Sequence, residues 1–230
     1  MADPNSPPVE REPIFNAPLL ILVLPAIIIG GYGLQVLAGP AAQESLLDDF
    51  ALNPLLLRQG HWDLLLSYMF VHGNWTHAGS NAVYCLIFST PVIRAMGRGA
   101  AGVLSFLLFF LVCGIAAGLG YCLLNWHADA PALGASGAVF GLVGAASRLL
   151  NTRQPKLNGL FSPVVIAMTL FFCIMASGVL SNLFSVSVVP GGVPAGATSA
   201  WQAHVIGFLF GLVLIEPWLR LLHREYFTTN

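Results

Sequence analysis

Leu133-Gly134-Ala135-Ser136-Gly137-Ala138-Val139-Phe140-Gly141 sets a serine between glycines inside an apolar run. Such a run is too apolar for the surface of a soluble protein. Farther along, Ala203-His204-Val205-Ile206-Gly207 sets a histidine in similar surroundings. The two stretches read as a nucleophile and its base held inside a membrane.

Composition sets the class. Of 230 residues, 57% are hydrophobic and 8% charged, where soluble domains carry about 25% charge. A soluble core of this length could not hide so much apolar surface, so an all-α polytopic integral membrane protein is expected. The net charge of -1 comes without a basic patch, which argues against nucleic acid as a partner. The four cysteines, Cys85, Cys113, Cys122 and Cys173, lie in apolar runs without CxxC spacing and read as small core or lipid-facing residues. Met1 to Pro18 is polar and Pro-rich and lacks the basic start of a signal peptide, so the first span is expected to be retained.

Working outward, the apolar runs predict six spans within 17–222, with a flexible tail over 1–16 and a short polar tail over 223–230. About 20 apolar residues are needed to cross the hydrocarbon core. The first span covers 17–38, with Pro25 and Gly30-Gly31 as candidate kinks. Residues 39–67 mix Glu44, Asp48, Asp49, Arg58 and Asp63 with leucines, and read as a structured loop or short interfacial helices. Further spans are expected over 75–93, 100–124, 131–147, 163–184 and 200–222, with a mobile, uncharged loop over 185–199. The fourth is short: eleven residues separate Ser136 from Arg148, which at about 1.5 Å each falls well below the ~30 Å core. That helix either begins below the membrane surface or continues past Arg148. In the first case the backbone before Ser136 must be buried in protein or line a wet cavity.

Six spans put both termini on one side, together with Arg11, Arg94, Arg98, Arg148, Arg153, Lys156, Arg220 and Arg224, and leave only Arg58 opposite. This bias predicts cytoplasmic termini. The second, fourth and sixth spans then start at the non-cytoplasmic face. His77, Asn81, Ser136 and His204, distant in sequence, fall at similar depth near that face.

Polar groups inside a membrane are costly and mark cavities or helix contacts. An isolated serine there is most often a packing residue. Ser136 differs because glycines flank it and because it sits at a helix start, where unpaired N–H groups can stabilise an oxyanion. The pattern is not the Gly-x-Ser-x-Gly elbow, since Ala138 holds the last place. His204 could be a packing residue, a proton relay or a base, and an imidazole with a pKa of about 6.5 suits the last role. Gly207 and Gly211 can face Gly137 and Gly141, which would bring Ser136 and His204 within reach and let Phe140 pack on the imidazole. Gly114 and Gly118 on the third span need only a packing role. His77 and Asn81 are four apart, share one helix face, and can both donate to a carbonyl oxygen turning negative. No carboxylate or cysteine completes a metal set around His72 and His77, so neither metal nor cofactor is expected. His61, His127 and His223 read as interfacial or loop residues without chemistry. Neither Asp63 nor Asp129 is placed to orient the base, so a Ser–His dyad is expected.

Together these stretches resemble the rhomboid family of intramembrane serine proteases. The resemblance rests on Gly134-Ala135-Ser136-Gly137 with Phe140-Gly141, on Ala203-His204 with Gly207 and Gly211, and on His72, His77 and Asn81 in Phe-x-His-x4-His-x3-Asn spacing, across about 58–215. It implies a six-transmembrane-helix rhomboid bundle with a membrane-embedded loop between the first and second helices, as in the basic bacterial form. It further implies Ser136 as nucleophile and His204 as general base and acid. His77, Asn81 and the Ser136 backbone N–H would form the oxyanion hole. His72 would be structural or water-coordinating, and Gly134, Gly137, Phe140 and Gly207 would support the site. Substrates would be single-span or other transmembrane proteins, admitted past the fifth helix and the 185–199 loop, in a bacterial inner membrane. Two positions depart from the family: Trp62-Asp63 stands where Trp-Arg is common, and Arg94-Ala95-Met96-Gly97 lacks an acidic residue before its glycine. Both bear on loop anchoring rather than on the reaction. The alternatives are a catalytically silent rhomboid-like protein that binds client helices and a small transporter using His204 as a proton relay. Natural substrate and oligomeric state are not legible in the chain.

Overall fold

The computed structural model describes residues 19–97, 99–150, 156–176 and 200–227. Among them the fold is helical, with one isolated antiparallel bridge, Leu52 to Ala132. The tail expected over 1–16, the 185–199 loop and the later part of the fifth span lie outside the described residues.

A 3-10 turn over Leu19–Leu22 leads into α1, Val23–Leu37. Pro25 falls in the first turn of α1, where the N–H it lacks would have no intrahelical partner, and the helix runs on without a break. The mixed segment forms three short helices: α2 (Pro40–Phe50), α3 (Pro54–Arg58) and α4 (Leu64–Ser67). Proline opens α2 and α3, a position that suits its fixed φ. No residue of α2 is buried, whereas α3 and α4 bury Leu57, Leu64 and Leu65.

Next come α5 (Trp75–Met96), α6 (Ala100–Leu124), α7 (Ser136–Leu149), α8 (Pro163–Ala176) and α9 (Trp201–Leu222). α5 runs three residues beyond the expected end at Ile93. α6 and α9 are each long and apolar enough to cross a membrane, while Val23–Leu37, Ser136–Leu149 and Pro163–Ile174 are shorter apolar helices. Large apolar side chains face outward along these helices, including Leu34, Val83, Leu104, Leu108, Phe171 and Val213. An apolar exterior of that extent fits lipid rather than water.

The helix of the fourth span does not continue beyond Leu149, where the backbone turns extended. α7 starts at Ser136 and ends at Leu149, a length of about 21 Å at 1.5 Å per residue. In the non-helical backbone before it, Ala132, Gly134 and Ala135 are buried and their amides are engaged. Ala132 exchanges hydrogen bonds with Leu52 at 2.8 and 2.9 Å, and the Gly134 N–H donates to the Tyr68 carbonyl at 2.8 Å. Irregular backbone is stable when its buried polar groups find partners in this way.

Every residue of α7 is buried. Its closest neighbour is α9, and glycine makes the approach possible. A Cβ at Gly207 would strike the Gly137 carbonyl oxygen, one at Gly211 the Gly141 carbonyl oxygen, and one at Gly144 the Phe208 carbonyl oxygen. The backbones therefore touch, and the helices lock in one register.

At the other end of α7, Arg148 is only 4% exposed. Its Nη2 pairs with Glu216 Oε2 at 2.6 Å, its Nη1 donates to the Leu212 carbonyl at 3.3 Å, and its Nε donates to the Asn158 carbonyl. Asn158 Nδ2 in turn donates to the carbonyls of Ser147 and Leu150. The chain after Leu222 packs rather than trailing away. Arg224–Phe227 is a 3-10 turn, Tyr226 is buried, and His223 is buried with Nε2 2.7 Å from Ser105 Oγ. His223 stands in the connection between α9 and this turn, where it is buried and ties the end of α9 to α6.

Candidate active site

The register of α7 on α9 places the two halves of the site. Gly207 lies against Gly137, so His204, nearly one turn earlier on α9, comes level with Ser136. His204 Nε2 is 2.8 Å from Ser136 Oγ, and both side chains are buried. Phe140, one turn along α7, stacks on the imidazole with centroids 4.6 Å apart and planes 8° from parallel. Phe172 of α8 meets Phe140 edge-on at 5.6 Å, and Tyr84 of α5 stacks on its ring at 6.4 Å. The ring that faces His204 is thus held by two other helices. Among the described residues His204 Nδ1 has no hydrogen-bond partner, so stacking rather than a carboxylate orients the imidazole.

Gly134 shapes the other side. Its φ is +100°, a conformation that side chains rarely adopt. A Cβ there would sit 2.5 Å from His77 Nε2 and 3.5 Å from Asn81 Nδ2. Only glycine lets those two side chains close on the turn that leads into Ser136. Asn74 caps α5 by accepting from the His77 N–H at 2.8 Å, which fixes where His77 and Asn81 start on their helix. Asn81 Nδ2 is buried without a partner among the described residues. The first N–H groups of α7 have no intrahelical acceptor. The Asn81 amide and the His77 imidazole thus lie against the turn that leads into Ser136.

His72 completes the cluster. Its ring meets that of His77 edge-on at 5.2 Å, and its Nε2 lies 3.5 Å from the Ala135 N–H nitrogen. The structure therefore brings together Ser136, His204, His77, Asn81, His72, Gly134, Gly137, Phe140 and Gly207. His61 and His127 are exposed elsewhere. Among the described residues no group of three or more His, Cys, Asp and Glu side chains is arranged to hold a metal ion.

The model of the Rhomboid domain family matches residues 59–220. The chain belongs to the rhomboid family. It is 31% identical over 112 residues to the rhomboid protease GluP of Bacillus subtilis (strain 168), a match covering 49% of this chain and 20% of that protein. It is 27% identical over 124 residues to YdcA of the same organism, provisionally named a rhomboid protease, covering 54% of this chain and 59% of that protein. The chain thus spans less than two thirds of either relative's length. Membership makes this a helical, integral membrane protein of a hydrolase family.

Reading the sequence missed two parts of the rhomboid site. Tyr68 donates its hydroxyl to the Gly114 carbonyl at 2.7 Å while its own carbonyl holds Gly134. Gln35 of α1 is buried against the backbone of His72. A buried amide in an otherwise apolar span is itself a signal of a helix contact, and it could have drawn attention to Gln35.

Proposed function

We propose that this rhomboid is an intramembrane serine endopeptidase that hydrolyses peptide bonds in or near the transmembrane segments of membrane proteins. The observation that carries the reading is the 2.8 Å approach of His204 Nε2 to Ser136 Oγ at the buried start of α7. Ser136 attacks the scissile carbonyl carbon as its hydroxyl proton passes to His204 Nε2. The carbonyl oxygen becomes an oxyanion, met by the Asn81 amide, the His77 imidazole and the Ser136 backbone N–H. Collapse breaks the carbon–nitrogen bond, and His204 returns its proton to the leaving amine. Water then attacks the acyl–Ser136 ester as His204 takes its proton, and collapse breaks the ester bond while His204 returns that proton to Ser136 Oγ, releasing a new carboxylate. Among the described residues no group holds His204 Nδ1, so the dyad works without the orienting carboxylate of a triad and turnover is slow.

The same reading places six spans within 17–222, cytoplasmic termini in a bacterial inner membrane, and the dyad toward the non-cytoplasmic face. The distribution of basic residues supports that orientation. Substrates are single-span or other transmembrane proteins, taken from the surrounding lipid.

The test is cleavage of a single-span substrate with an Ala-rich, Gly-containing upper segment in liposomes. Wild type is compared with Ser136→Ala and His204→Ala. Both variants are expected to lose at least about 10³-fold in kcat while remaining folded. Cleavage surviving Ser136→Ala would overturn the assignment of the nucleophile. A folded wild type that neither cleaves nor reacts with a fluorophosphonate would favour a silent, client-binding protein.

A further inference from the structure

The sixteenth described residue of the first span, Leu34, faces outward, but its neighbour Gln35 is buried at 6% exposure. Its amide meets both backbone groups of one residue: Gln35 Oε1 accepts from the His72 N–H at 3.1 Å, and Gln35 Nε2 donates to the His72 carbonyl at 3.5 Å. A side-chain amide that pairs with an N–H and a C=O of the same residue mimics one rung of a sheet and fixes the peptide planes on both sides of it. His72 cannot slide or rotate its backbone without breaking both bonds.

What His72 then touches matters for the reaction. Its Nε2 faces the N–H of Ala135, the residue before Ser136, at 3.5 Å, and its ring lies edge-on to His77 at 5.2 Å. His72 is therefore in contact with both sides of the donor cluster, the turn that starts α7 and the imidazole on α5. The packing around Gln35 reinforces the linkage. Tyr32, three residues earlier on α1, meets Trp75 at the start of α5 edge-on at 4.9 Å. The carbonyl of Phe70 lies near Gly31. The first helix thus holds the 70–75 connection along one face, with Gln35 as its polar contact.

We infer that Gln35 is a positioning residue for the reaction: through His72 it sets the donors that receive the oxyanion, although it touches neither substrate nor dyad. The inference rests on the proteolytic reading above. Such a residue acts when charge develops on the carbonyl oxygen, not when substrate binds. Its loss therefore lowers kcat and leaves KM in place.

The variants are Gln35→Met, which keeps the length and removes both bonds, and Gln35→Glu, which keeps the acceptor for the His72 N–H. Fluorophosphonate labelling carried to its end point counts folded, competent sites, and liposome cleavage is then expressed per labelled serine. A purely structural role would reduce the number of labelled sites and leave kcat per site unchanged. The expected result is a fall of about tenfold in kcat per labelled site for Gln35→Met, with KM within about twofold of wild type. Gln35→Glu should fall between Gln35→Met and wild type. A kcat per labelled site within about twofold of wild type in Gln35→Met would overturn the inference, as would an effect confined to KM. Normalisation per labelled serine keeps the comparison valid if part of a variant fails to fold. Wild type that neither labels nor cleaves would instead overturn the proteolytic reading itself.

Discussion

The two ends of α7 use their polar groups in opposite ways. At the C-terminal end, all three guanidinium nitrogens of Arg148 are bonded, to Asn158, Leu212 and Glu216, and Asn158 closes the last carbonyls of the helix. At the N-terminal end lie His72 Nδ1, Asn81 Nδ2 and His204 Nδ1, the three buried side-chain atoms that lack a hydrogen-bond partner among the described residues. An unmade buried hydrogen bond costs about 1–3 kcal/mol. One end is thus an anchor, and the other, on the proposed function, has capacity to receive a charge. Both ends share one glycine-lined interface with α9, so neither is free to move without the other.

That shared interface gives the largest expected effect. Gly207→Ala forces a Cβ against the Gly137 carbonyl oxygen, and the helices must part. The cost should be about 3 kcal/mol, seen as a lower midpoint in SDS titration, with cleavage lost as Ser136 and His204 separate. Gly30→Ala is the control, because nothing lies within 4 Å of a Cβ there. It should leave both readouts unchanged.

Asn81→Ala removes an Nδ2 donor that has no partner among the described residues. It should lower kcat by about 100-fold with KM nearly constant and stability intact. A loss of stability in place of activity would erase the distinction between the ends. Arg148→Met should do the reverse. Glu216 is 35% exposed and keeps Arg220, so the loss should be about 2 kcal/mol, at the lower part of the range for a charged hydrogen bond. Activity per folded molecule should be retained. The smallest effect belongs to Arg220→Ala. Its side chain is 61% exposed and pairs with Glu216 four residues away, which should contribute below about 0.5 kcal/mol.

Much of the N-terminal end was legible in the sequence because its spacing carries the chemistry. His77 and Asn81 share a helix face by periodicity, and Gly137 and Gly141 face Gly207 and Gly211 as the small-residue pattern suggests. Gly144, which completes the contact, escaped notice because it stands three rather than four residues after Gly141. The C-terminal end was much less legible. In the sequence Arg148 is one of several basic residues on the same side, and its burial depends on Glu216, 68 residues away. His223 likewise finds Ser105 at a separation of 118 residues. A local pattern cannot encode such a partner. The short helices of 39–67 were legible only as something structured at the interface. Pro40 and Pro54 mark two of their starts, but the bonds of Leu52 to Ala132 and of Asn53 to Asp129, which hold that segment to the connection before Ser136, are tertiary.

The most direct test of the central claim is where a fluorophosphonate attaches. Purified wild type is labelled in liposomes and the modified peptide is identified by mass, beside folded His204→Ala. The expected result is a single adduct on Ser136 that forms in wild type and is lost, or slowed by at least about 10³-fold, without His204. An adduct on another residue, or one on Ser136 that forms equally fast without His204, would contradict a serine activated by that histidine.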